Sequence, residues 1–288
     1  MKKIAVIGAT GMLGKPVTIA LANAGFQVTA LVRDLAKVKS GYPTSMQWLE
    51  GDMKKWEDLD RFLKGQDAIY LSLSILQKEK QSDWHTESDG LKLVLESAKR
   101  NNIKRIGYLS SLVMRYQGMN GFNWWVFDIK HKAVAMIREV GIPYTIFYPS
   151  TFMEALTHQY KMGNLMMIAG KSEHRQYFIS AADYALQVAN SFQLPTNRNR
   201  EYVIQGPEAF YTEEAVALFS KHYTKVKLKT ISAPIGLIRF YGLFIQLMNY
   251  GYHILESLNK YPEKFEADNT WAELGKPLTT LKQFTENL

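Results

Sequence analysis

Residues 1–14 read MKKIAVIGATGMLG, and the fold is decided there. The apolar run after Lys2 and Lys3 is long enough for one buried strand and too short for an export signal. Glycine stops it at once. Gly8, Gly11 and Gly14 follow with the spacing G-x-x-G-x-x-G, and a helical pattern from Met12 to Ala24 closes at Gly25. Strand, glycine turn and helix in that order bring free helix N–H groups beside a turn without side chains, which is how a pyrophosphate is cradled. Gly8 lets the chain leave the strand sharply, Gly11 removes a Cβ where the phosphates approach, and Gly14 lets the helix sit close to the sheet.

Outward from this turn, short apolar runs alternate with amphipathic stretches. Strands are expected at 2–8, 26–32, 46–51, 67–73, 103–111 and 143–148, with helices near 56–63, 84–101 and 125–140. Near-continuous apolar strands separated by helices predict an α/β, doubly wound parallel-sheet Rossmann fold. After Pro149 the rhythm changes. QYFIS (176–180), a helix over 181–192 and EYVIQG (201–206) rejoin the sheet in this reading. The dinucleotide-binding domain is therefore 1–150 plus about 176–206. A smaller, mostly helical, discontinuous C-terminal substrate domain takes about 151–175 plus 207–288, with one strand near 225–232.

Composition narrows the function. The 288-residue chain has no cysteine, so disulfides, thiolate metal sites and a cysteine nucleophile are excluded. Its net charge of +8 comes from scattered lysines without an arginine-rich helix, which argues against nucleic acid. The six histidines show no metal-ligand pairing, so no metal is expected. No G-x-S-x-G elbow occurs. The run 240–255, FYGLFIQLMNYGYHIL, lacks charge but is short for a bilayer span, so no stable membrane insertion is expected and the protein is assigned to the cytoplasm. That run is expected to line the substrate cleft, with membrane-surface contact and a dimer helix as alternatives; an oligomer stays open.

The second strand ends in Leu31-Val32-Arg33, without the Asp or Glu that would hold a ribose 2′-hydroxyl. Arg33 can meet a 2′-phosphate, with Lys37 one turn further on, so NADP(H) is favoured over NAD(H).

The run GATGMLGKPV, VTALVRD, GDM, DAIYLSLS, IKRIGYLSS and GIPYTIFYPSTF, continued by FISAADYA, EYVIQGPEAFYTEEA and PLTTLKQF, resembles the NmrA-like, atypical branch of the short-chain dehydrogenase/reductase superfamily over nearly the whole chain. The resemblance implies that Thr10, Met12 and Leu13 lie in the phosphate loop, that Asp52 and Met53 flank the adenine, and that Leu73 and Ser74 lie beside the ribose and nicotinamide. Asp183 matches a structural landmark. In typical members a Tyr-x-x-x-Lys pair does the chemistry; the lysine holds the ribose and lowers the tyrosine pKa. Lys130, eleven residues before Gly141, falls at the lysine position, and Val126 stands where the tyrosine belongs. The alternative register, Lys132, has Asp128 there.

The expected activity is therefore a reductase that passes hydride to a quinone-like or conjugated small-molecule acceptor without a catalytic tyrosine. Lys130 would hold the ribose, and Ser110, Ser111 and Tyr116 would position the acceptor. A non-catalytic NADP(H)-sensing protein and an assembly protein that retains the dinucleotide are the alternatives. Phe122, Trp124, Trp125 and Phe127 are candidates for an aromatic pocket wall, and Met162, Met166 and Met167 for an adaptable lid.

Overall fold

The computed structural model describes residues 1–38, 40–195 and 198–288. The six strands expected before Pro149 all form: β1 (Lys3–Ile7), β2 (Gln27–Val32), β3 (Gln47–Glu50), β4 (Ala68–Leu71), β5 (Arg105–Leu109) and β6 (Tyr144–Pro149). The later strands are β7 (Lys161–Met162), β8 (Leu165–Ala169), β9 (Gln176–Phe178), β10 (Arg200–Ile204), β11 (Glu208–Phe210) and β12 (Lys229–Ala233). Helices α1 (Gly14–Asn23), α2 (Trp56–Leu63), α3 (Leu91–Arg100) and α4 (Trp125–Glu139) fall between the first six strands. They are followed by α5 (Ala155–His158), α6 (Ala181–Gln193), α7 (Thr212–His222), α8 (Ile235–Gly242), α9 (Gln246–Lys260), α10 (Asp268–Leu274) and α11 (Leu281–Glu286).

The main sheet has seven parallel strands in the order β3-β2-β1-β4-β5-β6-β10. Every residue of β4, β5 and β6 is buried, which explains their unbroken apolar spelling. One face is covered by α2, α3 and α4 through Leu59, Phe62, Val94, Phe127 and Val134. The other is covered by α1 and α6 through Val17, Leu21, Tyr184 and Val188. The order reverses between β1 and β4, and a crevice opens there at the carboxyl ends of the strands.

Three expectations need correction. QYF (176–178) does not rejoin the main sheet; β9 pairs antiparallel with β11, and only β10 is added beside β6. The methionine-rich segment is no lid: β7 and β8 form a hairpin that β12 extends, Met166 is buried in a separate small core, and Met162 and Met167 face solvent. The helix expected over 84–101 starts as a π-helical turn, Thr86–Gly90, before becoming α3.

The small core is built by Met153, Leu156, Tyr160, Met166, Ile168, Val216, Phe219 and Leu281, with Phe178 reaching in from β9. Residues 268–279 lean the other way. Thr270 Oγ1 donates to the Val203 carbonyl at 2.7 Å, and the Asp183 carboxylate accepts from Thr279 N at 3.0 Å. Asp183 thus staples the chain's last part to the start of α6, where Ser180 caps the helix.

Candidate functional site

The glycine turn is held by its own backbone. Gly11 N donates to the Gly8 carbonyl and Lys15 N to the Gly11 carbonyl, each at 3.0 Å. Gly8 has φ +87°, and a Cβ on it would meet the Ser72 carbonyl at 2.2 Å. A Cβ on Gly14 would lie 1.9 Å from the Gly8 carbonyl. Only glycine fits either place. Thr10, Gly11 and Met12 are exposed on the crevice rim, ahead of the first turn of α1. This is the shape that accepts a dinucleotide pyrophosphate, so the residues present fit such a group.

Further along the same edge, Arg33 is exposed directly after β2, with no ion pair or hydrogen bond among the described residues. Lys37 is held by Asp34 at 3.0 Å in an exposed pair, and Asp34 also caps the short 3-10 turn by accepting from Ala36 N. Lys37 therefore points back into its own turn. Asp52 and Met53 follow β3; Asp52 is tied into that loop by its N–H to Asp58 and by accepting from Lys54 N, both at 3.0 Å. Leu73 is buried after β4, and the Ser74 carbonyl accepts from Thr86 at 2.8 Å.

A cleft of about 230 Å³ opens beside the glycine turn, at the carboxyl ends of β1, β4, β5 and β6. Met12 and Leu13 form one end. Val113, Phe152, Tyr250, Ile254 and Tyr261 supply apolar walls, and Ser111, Ser150, Gln176 and Glu263 supply polar groups. Among the described residues no Lys, Arg or His lines it. A larger open hollow of about 520 Å³ around Met1, Gly25 and Phe192 lies at the amino ends of the strands, the wrong edge for a ligand of this fold.

The four residues expected to act in chemistry are not brought together. Ser111 lines the cleft. Ser110, its neighbour, is buried with Oγ against Met114 Sδ at 3.4 Å. Tyr116 is fully buried against Phe122 and is not among the lining residues. Lys130 is held by Glu87, Nζ lying 2.9 and 3.0 Å from the two carboxylate oxygens. Val126 is buried on α4 and offers no proton. Three of the four aromatic residues are core rather than pocket wall: Phe122, Trp124 and Phe127 pack on one another, Trp124 stacks on His253, and the partly buried Trp125 lies against His85.

Glu87 escaped the sequence reading. It has no solvent exposure, and Tyr108 Oη donates to it at 2.8 Å. Burial, followed by the charge of Glu87, pushes the Tyr108 hydroxyl well above its ordinary pKa, so it stays a donor. The signal was present in the spacing. Glu87 continues the stripe Leu91, Val94, Leu95 and Ala98, an acid placed on the inward face of a helical segment.

Glu263 is the second missed group. It accepts from Ser150 Oγ at 2.8 Å and Gln205 Nε2 at 2.7 Å at the cleft wall. Burial pushes its carboxyl up to about 6, against the pull of those two donors. A raised carboxyl pKa means the folded state binds the proton more tightly. The resulting stabilisation is complete below the ordinary value of 4.5 and is lost as pH rises through about 6. Glu263→Gln is expected to abolish this slope of stability between pH 4.5 and 6, read by chemical unfolding at a series of pH values. An unchanged slope would refute the assignment.

The sheet order, the reversal beside β1 and the glycine turn define a dinucleotide-binding Rossmann protein. The chain belongs to the NmrA-like family, whose model matches residues 1–282. Among curated relatives it is similar to the photosystem II assembly factor Ycf39 of Trieres chinensis, 25% identical over 93% of this chain and 83% of that one. The Ycf39 protein of Synechocystis is 22% identical over 89% and 78%. In solved structures the fold is similar to the NADPH-dependent quinone oxidoreductase QOR2 of Escherichia coli complexed with NADPH, TM-score 0.78 at 20% identity over 99% of each chain. It is also similar to the Citrobacter triphenylmethane reductase complexed with NADP(H), TM-score 0.71 at 15% identity over 99% and 100%.

Proposed function

We propose that this chain binds NADP(H) along the glycine turn and reduces a flat, uncharged, largely apolar acceptor of the quinone class in the adjoining cleft. The observation that carries the reading is the cleft lining, apolar walls with hydroxyls, amides and one carboxylate and, among the described residues, no cation. A nucleoside diphosphate sugar would set its negative charges beside Glu263 without a counter-charge, which is strongly unfavourable away from water. An uncharged ring system avoids that and finds Tyr250, Tyr261 and Phe152 as packing partners.

NADPH, when bound, supplies the hydride. Arg33 pairs with the 2′-phosphate that distinguishes it from NADH. Ser111 donates a hydrogen bond to an acceptor oxygen, and the proton arrives from water, because Val126 replaces the usual donor. NADPH is expected to bind at least about tenfold more tightly than NADH, about 1.4 kcal/mol. Arg33→Ala removes that preference while leaving NADH binding unchanged, as read by fluorescence titration. Quinone-dependent oxidation of NADPH tests the chemistry, and its absence across a panel of quinones would overturn the reductase reading.

A second reading is favoured by one observation. Lys130 is committed to the buried Glu87, so the family's ribose-holding ammonium is already occupied. That supports a cofactor-bound assembly protein, in line with what the Ycf39 relatives are named for. Tight NADPH binding without turnover on any acceptor would select it.

A further inference from the structure

The charge-free run expected to line the cleft divides its residues between two places. Tyr250, Ile254 and Leu258, on one side of α9, face the cleft. Leu243, Phe244 and Ile245, in the turn between α8 and α9, and Leu247 at the start of α9 stand in solvent, Leu243 at 73% and Phe244 at 77% exposure. Leu237 and Phe240 extend the patch along α8. A contiguous exposed apolar surface at the tip of a helical hairpin marks an interaction site rather than chance exposure.

The chain leading into the hairpin is basic, whereas on α9 itself Glu256 pairs with Lys260 and Gln246 donates to the Glu79 carbonyl. From Ala215 to Leu255 the chain holds Lys221, Lys225, Lys227, Lys229 and Arg239, all exposed, and no Asp or Glu. The outer face of the small sheet runs into the hairpin, with Ile231 beside Met167 and Lys229 beside Leu165. No helix among the described residues is long and apolar enough to cross a membrane.

We propose that the α8–α9 hairpin docks on the surface of an anionic lipid bilayer, its apolar tip at the acyl boundary and Arg239 with the basic segment that precedes the hairpin at the headgroups. Apolar insertion and attraction to anionic lipid act together at such a surface. A second copy of the chain is disfavoured, because a two-fold interface would set this basic region against itself. The hairpin's inner side is a cleft wall, so docking would bring the cleft to a lipid-soluble acceptor; this last step rests on the reductase reading, whereas docking itself does not.

The test is co-sedimentation of the full chain with vesicles of phosphatidylcholine alone and of phosphatidylcholine mixed with phosphatidylglycerol. Binding to the mixed vesicles is expected, weaker by at least about tenfold on phosphatidylcholine alone. The double variant Leu243→Glu/Phe244→Glu should lose it with unchanged thermal unfolding, since both side chains are in solvent. Lys225→Glu/Lys227→Glu should weaken binding and its salt dependence. Failure to bind mixed vesicles overturns the proposal. So does a dimer in sedimentation velocity that the Leu243→Glu/Phe244→Glu variant dissociates while vesicle binding is absent. Vesicle binding without quinone turnover sustains the docking and removes only the reductase reading.

Discussion

Lys130→Ala is expected to destabilise the folded protein by about 3–5 kcal/mol at neutral pH, because it strands a buried carboxylate. Glu87 has no exposure, and the Lys130 side chain keeps only 16%. Removing the ammonium leaves Glu87 with a single donor among the described residues, Tyr108 Oη. Against a total stability of about 5–15 kcal/mol, such a loss is a large fraction. Urea unfolding checks it. Glu87→Gln/Lys130→Met removes both charges yet keeps an acceptor for Tyr108, so it should lose much less than Lys130→Ala. A loss below about 1 kcal/mol in Lys130→Ala would show the pair to be no more than a surface contact. The consequence for function is direct. Lost activity in Lys130→Ala would report a damaged fold as readily as a missing ribose contact, and the double variant separates the two.

The parts of the site legible in the sequence are those fixed locally. Gly8, Gly11 and Gly14 sit within one turn, and their spacing discloses them: Gly8 and Gly14 have a backbone reason to be glycine, and Gly11 leaves the approach to the turn open. The positions of the first six strands along the chain follow from their apolar runs, because parallel strands covered on both faces have to be spelled that way. Contacts made across the chain were not legible. β9 pairs with β11 past the intervening α6 and β10 in sequence, and three residues carry too little pattern to choose a partner. Glu263 meets Ser150 from 113 residues away, inside a segment, YPEKF, with no motif. The Ser110-Ser111 choice turned on direction: neighbours at a strand end point opposite ways, and the sequence does not say which one faces the cleft. Tyr116 follows strand β5 closely in sequence, yet the 3-10 turn Val113–Tyr116 rotates it into the core.

The glycine turn yields the other large effect, and three glycines separate its causes. Gly14→Ala forces a Cβ to within 1.9 Å of the Gly8 carbonyl and 2.8 Å of its carbon, a backbone neighbour that cannot rotate away. The Gly11 and Lys15 amides already fix that loop, and α1 is packed on the sheet through Val17 and Leu21. A stability loss of about 1–3 kcal/mol is expected, together with loss of NADPH binding. Gly11→Ala differs. Its Cβ meets only the Gly8 carbonyl, at 3.3 Å, so the fold should tolerate it while the new methyl occupies the path of the pyrophosphate. NADPH affinity should fall with almost no change in unfolding. Gly236→Ala, in α8 with nothing within 4 Å of the new Cβ, should gain about 0.5–1 kcal/mol from helix propensity and leave binding alone. Denaturation and NADPH titration on the same three proteins decide the matter. If Gly11→Ala bound NADPH as well as the parent chain, the turn would be a structural corner and the dinucleotide would have to lie elsewhere.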